Sequence, residues 1–118
     1  MLCQVLNYNL DLIHNINYEN ADNDFGISDV WGYTDETGVE YAIVGYQYGT
    51  SIMNVSESSP IEVANILGPS SGDYYFHRDY KTFGNFLYIV NEMYGGDVGM
   101  QVVDLSPLPD GVPIQLDT

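Results

Sequence analysis

The chain carries nearly the same message twice, 50 residues apart. DVWGYTDETGVEYAIVGYQYGTSIMNVSESSPIEV begins at Asp29, and RDYKTFGNFLYIVNEMYGGDVGMQVVDLSPLPDGVPIQL begins at Arg78. Asp29 returns as Asp79, Gly49 as Gly99, Asn54 as Asp104 and Ser56 as Ser106. A period near 50 in a strand-rich sequence predicts propeller blades or another repeat array. The 118 residues hold only about two such units, whereas repeat units bury their apolar faces on their neighbours.

Strand signals fill both units. In the first, Ser28–Tyr33 is followed by the turn TDETG, in which Gly38 is free to take a positive φ. Glu40–Tyr46 contains the continuous apolar run Tyr41-Ala42-Ile43-Val44, as expected of a strand covered on both faces. Thr50–Val55 and Ile61–Leu67 complete the set. The second unit repeats the order with His77–Phe83, a tight Gly84-Asn85 turn, Phe86–Asn91, Gly99–Leu105 and Val112–Asp117. Matching Val44 to Val90 makes the first turn of the second unit four residues shorter, and EMYGGDV restores the offset at Gly99. Length variation confined to turns costs little.

The expected organisation is one partial domain over 1–118. Residues 10–18 form the last strand of a preceding unit, 28–67 one blade, and 77–118 a second blade truncated in its last strand. No segment of helical length has helical periodicity. The fold class is therefore all-β: about two four-stranded antiparallel blades of an incomplete β-propeller. The alternative is a β-sandwich, which also uses short strands at turn-punctuated spacing.

Charge excludes some partners. Seventeen acidic residues stand against two basic ones, Arg78 and Lys81, a net charge of −15. Nucleic-acid affinity rests on Lys and Arg, and an anionic membrane surface is disfavoured for the same reason. The acidity reads either as a solvated surface or as a source of oxygen ligands for a divalent cation. Calcium is the one cofactor this composition suggests. Cys3 is the only cysteine, so no intrachain disulfide forms. No apolar run has the length of a membrane span, and MLCQVLNYNL lacks the features of a signal peptide.

SDVWGYTDETGVEYAIVGYQYGTSIMNVS, RDYKTFGNFLYIVNE and GMQVVDLSPL together resemble the choice-of-anchor B family. SIMNV at Ser51–Val55 and MQVVDL at Met100–Leu105 stand where that family carries its LVIVD-type repeat. The resemblance spans residues 10–118 and implies a β-propeller of a bacterial secreted or cell-surface protein. His77 replaces a Trp of the family pattern, and Val98 replaces a His.

Six residues are candidate ligand contacts: Asp29, Trp31, Tyr74, Tyr75, Arg78 and Asp79. Asp29 and Asp79 open the first strand of each unit, the innermost strand in a propeller. They either converge on a cation near the axis or accept backbone N–H bonds that lock the units together. Arg78 suits a fork-type bond to a carboxylate or to loop carbonyls. Trp31 reads as inter-blade packing or a stacking platform, and Tyr74 with Tyr75 as an exposed contact patch.

Asp22, Asp24 and Asp97 are weak metal candidates. NADNDFG has Phe25 where an EF-hand loop requires Gly and no closing Glu. His14 and His77 lack metal-ligand spacing, the serines lack a nucleophile elbow, and no catalytic residue emerges. The expected function is a non-catalytic binding, adhesion or scaffolding module for a protein or carbohydrate ligand. It would pair with the remaining blades of a longer protein or self-associate through open edges. The alternatives are a hydrolase or lyase with a channel site on Asp29, Arg78 and Asp79, and a calcium-stabilised structural repeat.

Overall fold

A computed structural model of the protein describes residues 9–18, 26–69, 77–92 and 99–117. Its described residues form eight strands and no helix. β1 (Val30–Thr34), β2 (Glu40–Tyr46), β3 (Gly49–Asn54) and β4 (Ile61–Leu67) make one antiparallel sheet in the order β1-β2-β3-β4. β5 (Arg78–Phe83), β6 (Phe86–Asn91), β7 (Gln101–Asp104) and β8 (Ile114–Asp117) make a second in the order β5-β6-β7-β8. The protein is thus all-β, as its strand propensities and lack of helical periodicity dictate.

The two sheets share their register. Val44 of β2 pairs with Val30 and Ser51, while Ile89 of β6 pairs with Tyr80 and Gln101, each 50 positions on. The irregularity between β3 and β4 falls at Ile52/Met53, and that between β7 and β8 at Val102/Val103, again 50 apart. Ile89, not Val90, therefore stands where Val44 stands. The first turn is five residues shorter in the second sheet, not the four expected from matching Val44 to Val90. That letter match was misleading because side chains alternate across a strand: a one-residue slip moves every side chain to the other face.

Residues 10–18, expected as a strand, pair with none of the eight strands. Without a ladder partner this stretch stays outside the sheets. Leu10, Leu12 and Ile13 are exposed, and Tyr18 stacks on Tyr46 at 5.7 Å between ring centroids. β1 starts at Val30 rather than Ser28, and β7 is confined to Gln101–Asp104.

Alternation gives each sheet two faces. The front of the first sheet carries Trp31, Tyr33, Tyr41, Ile43 and Ile52, and its back carries Val30, Gly32, Ala42, Val44 and Met53. The core lies between the front of the first sheet and the back of the second, where Tyr80, Leu87, Ile89 and Val103 are buried. The sheets approach closest at their first strands, β1 and β5.

Candidate functional site

Of the residues that the sequence singles out, Trp31 and Arg78 build this junction, while Asp29 and Asp79 bond within their own strands. Asp29 Oδ1 accepts the N–H of Val30 at 2.8 Å, and Asp79 Oδ1 accepts the N–H of Tyr80 at 2.9 Å. Each carboxylate thus holds the backbone at the entry to its own strand. Asp79 also lies 3.9 Å from Lys81 Nζ, an exposed pair of small energetic weight. Among the described residues no group of three His, Cys, Asp or Glu side chains is placed to hold a metal ion.

Arg78 is 5% exposed, and its Nη1 donates to the Tyr46 carbonyl at 2.6 Å, joining the second sheet to the end of β2. Burial draws its pKa below the ordinary guanidinium value. This is a bond to a carbonyl, one of the partners that the sequence suggests for this arginine. Gln101 Nε2 makes a parallel link, donating to the Leu67 carbonyl at 2.8 Å.

Trp31 is half-buried rather than a bare stacking platform. Its Nε1 donates to Thr82 Oγ1 at 3.1 Å, and Lys81 Nζ lies 4.0 Å from the ring centroid, a cation–π geometry. The Tyr33 hydroxyl donates to Asn85 Oδ1 at 3.2 Å. Tyr80 is fully buried with its hydroxyl 3.0 Å from Thr50 Oγ1. Burial, foremost, pushes the Tyr80 pKa up to about 12. Tyr80 fits there because residue 45 is glycine. A Cβ at Gly45 would lie 2.7 Å from the Tyr80 hydroxyl and collide with Ser28 Oγ.

Sequence reasoning missed Asp35. Its Oδ1 accepts the Thr37 N–H at 2.8 Å, the Thr37 hydroxyl at 2.7 Å and the Val39 N–H at 3.0 Å. Its Oδ2 accepts the buried Tyr41 hydroxyl at 3.0 Å. Burial by itself raises a carboxyl pKa, but these bonds to the charged form outweigh it and hold Asp35 below the usual carboxylate value. Burial and the Asp35 bond push Tyr41 up to about 12. The available signal was Asp35-Glu36-Thr37, an Asx-turn pattern in which both side chains can bond the local backbone.

A cleft of about 330 Å³ opens over the back of the first sheet, at the β1–β2 end, beside Val30, Gly32, Thr34, Glu40, Ala42 and Val55. No atom lies within 4 Å of where a Gly32 Cβ would stand, so the missing side chain contributes to the opening. A smaller hollow lies beside Arg78, Asp79 and Glu92. Tyr74, Tyr75, Asp22, Asp24 and Asp97 lie outside the described residues. No described helix is long and apolar enough to cross a membrane. In comparisons with protein-family models, curated proteins and solved structures, nothing matches the chain.

Proposed function

We propose that the chain is a non-catalytic module of a bacterial secreted or cell-surface β-propeller, similar to the choice-of-anchor B proteins, used for binding, adhesion or scaffolding. One observation carries the architectural part. The front of the first sheet packs on the back of the second, with first strands nearest and registers matched 50 residues apart. Such front-to-back stacking continues from sheet to sheet about an axis, as blades do. It favours a propeller over a sandwich of two sheets closed on a single shared core.

The chemistry along the junction supports the binding reading. Asp29, Asp79 and Arg78 are each bonded to backbone, which leaves them poorly set to act as acid, base or clamp. Tyr74 and Tyr75, singled out by the sequence alone, suit a carbohydrate or peptide ligand, because tyrosine offers an apolar ring with a polar tip.

Binding of bacterial surface polysaccharides and peptides to the immobilised chain tests this reading. The expected result is saturable binding that falls in Tyr74→Ala and Tyr75→Ala and survives Asp29→Asn and Asp79→Asn. Turnover of any such ligand, abolished by Asp29→Asn or Asp79→Asn, would overturn it in favour of a hydrolase or lyase.

A further inference from the structure

The two sheets present complementary surfaces outward as well as inward. Within the chain, Tyr33 on the front of the first sheet packs into the core with Leu87 and Leu105 and bonds Asn85. Carried through the shared register, the residue in the place of Tyr33 on the second sheet is Phe83. Phe83 is 81% exposed, with Phe86 exposed beside it and Val90 exposed further along the same front face. The places held by Thr82, Leu87 and Leu105 on the second sheet are held by Gly32, Ala42 and Val55 on the first. Those are the residues of the 330 Å³ cleft. A projecting aromatic ring thus stands at one end of the molecule and a matching hollow at the other.

We infer that the chain binds a second copy of itself head to tail, the Phe83 face of one copy seating in the Gly32 cleft of the next. The contact repeats the β1–β2 end of the junction already formed between the two sheets; further along the back of the first sheet Tyr18 stacks on Tyr46, and Val44 and Met53 are buried. The two halves of the contact differ, so it is heterologous, and association proceeds beyond the dimer to a ring or filament. The charge of −15 on each copy opposes approach, and salt screens that repulsion. Association therefore strengthens as ionic strength rises. This goes beyond the binding reading above and fails or holds independently of it.

Sedimentation velocity on the full chain, from micromolar to millimolar concentration, tests the inference. The expected result is reversible growth through dimers to larger species, favoured by added salt. Phe83→Asp disables the projecting face and Gly32→Glu fills the cleft. Each should raise the dissociation constant at least about tenfold, the equivalent of about 1.4 kcal/mol. Mixed in equal amounts, the two should form a one-to-one pair and nothing larger, because each retains the half that the other lacks. Val90→Asp and Val30→Asp, both at exposed positions, repeat the test should either first variant fail to fold. A wild-type chain that stays monomeric throughout would overturn the inference. So would Phe83→Asp assembling like the wild type, or Gly32→Glu still forming dimers with itself.

Discussion

Tyr33 and Phe83 occupy the same place in two sheets of the same strand order, yet one is 9% exposed and the other 81%. Val30 and Tyr80 form the reverse pair, at 62% and 0%. Backbone pairing is nearly identical around all four residues. What differs is the neighbour: Tyr33 and Tyr80 lie on the two faces that cover each other, whereas Phe83 and Val30 lie on the faces turned away. Strand formation here is a local property of each sheet. Burial, and hence most of the stability, belongs to the junction between them.

The largest effects should expose that asymmetry. Tyr80→Ala removes a fully buried aromatic and should cost about 3–5 kcal/mol. Val30→Ala, at the matching exposed place, should stay within about 0.5 kcal/mol. Urea unfolding of both variants in dilute solution checks the pair, and equal losses would break the comparison. Gly45→Ala comes next: the added methyl group meets Tyr80 and Ser28, and overpacking of this kind costs about 1–3 kcal/mol. Its counterpart on the second sheet is Val90, whose exposed side chain shows that the same place tolerates bulk where no neighbour covers it.

The two hairpins differ as well. The first is built around Asp35, whereas the second turns tightly through Gly84-Asn85. The Asp35 pKa is lowered in the folded protein. Its ionised form therefore stabilises the fold above the ordinary carboxylate pKa, and that contribution disappears as pH falls through the folded value. The acid limb of the stability curve should be shallower in Asp35→Asn, which should also be less stable near neutral pH. Tyr41 and Tyr80, both pushed up to about 12, act at the other end. Their contribution is fully present below pH 10 and declines as pH rises from there toward 12, because the unfolded chain ionises first. Alkaline unfolding followed by circular dichroism should be milder in Tyr41→Phe. A further, local effect is expected at Gly84, whose φ of +57° is left-handed. Gly84→Ala should cost about 1–2 kcal/mol, with the strain confined to the second hairpin.

Much of this was legible in the residues. The strand-rich composition and turn punctuation identified the eight strands, with boundaries within two residues in most cases. The Asn54/Asp104 correspondence also has a physical basis. Each side chain accepts the N–H two residues on, from Ser56 at 3.0 Å and Ser106 at 2.8 Å. The register of β6 was not legible, because Val90 and Val44 share a letter but not a face. The partners of Arg78 and Trp31 were hidden for a different reason. Tyr46 and Thr82 lie 32 and 51 residues away, and only the packed sheets bring them within bonding distance. Asp35 had a local signature, yet its bond to Tyr41 depends on the hairpin closing first.

By itself, the sequence determined what is local: strand propensity, turn chemistry, net charge, and an offset of 50 between matching residues. These follow from backbone sterics and side-chain composition, which each short segment carries with it. Only the tertiary structure decided which face of each sheet is covered, and therefore what becomes of the candidate site. Asp29, Asp79 and Arg78 are polar in either setting. The junction takes Arg78 to the Tyr46 carbonyl, Asp29 and Asp79 bond the next N–H in their own strands, and Phe83 and the Gly32 cleft are left facing outward. Both faces of a strand carry apolar side chains here, and only the position of the neighbouring sheet selects between them.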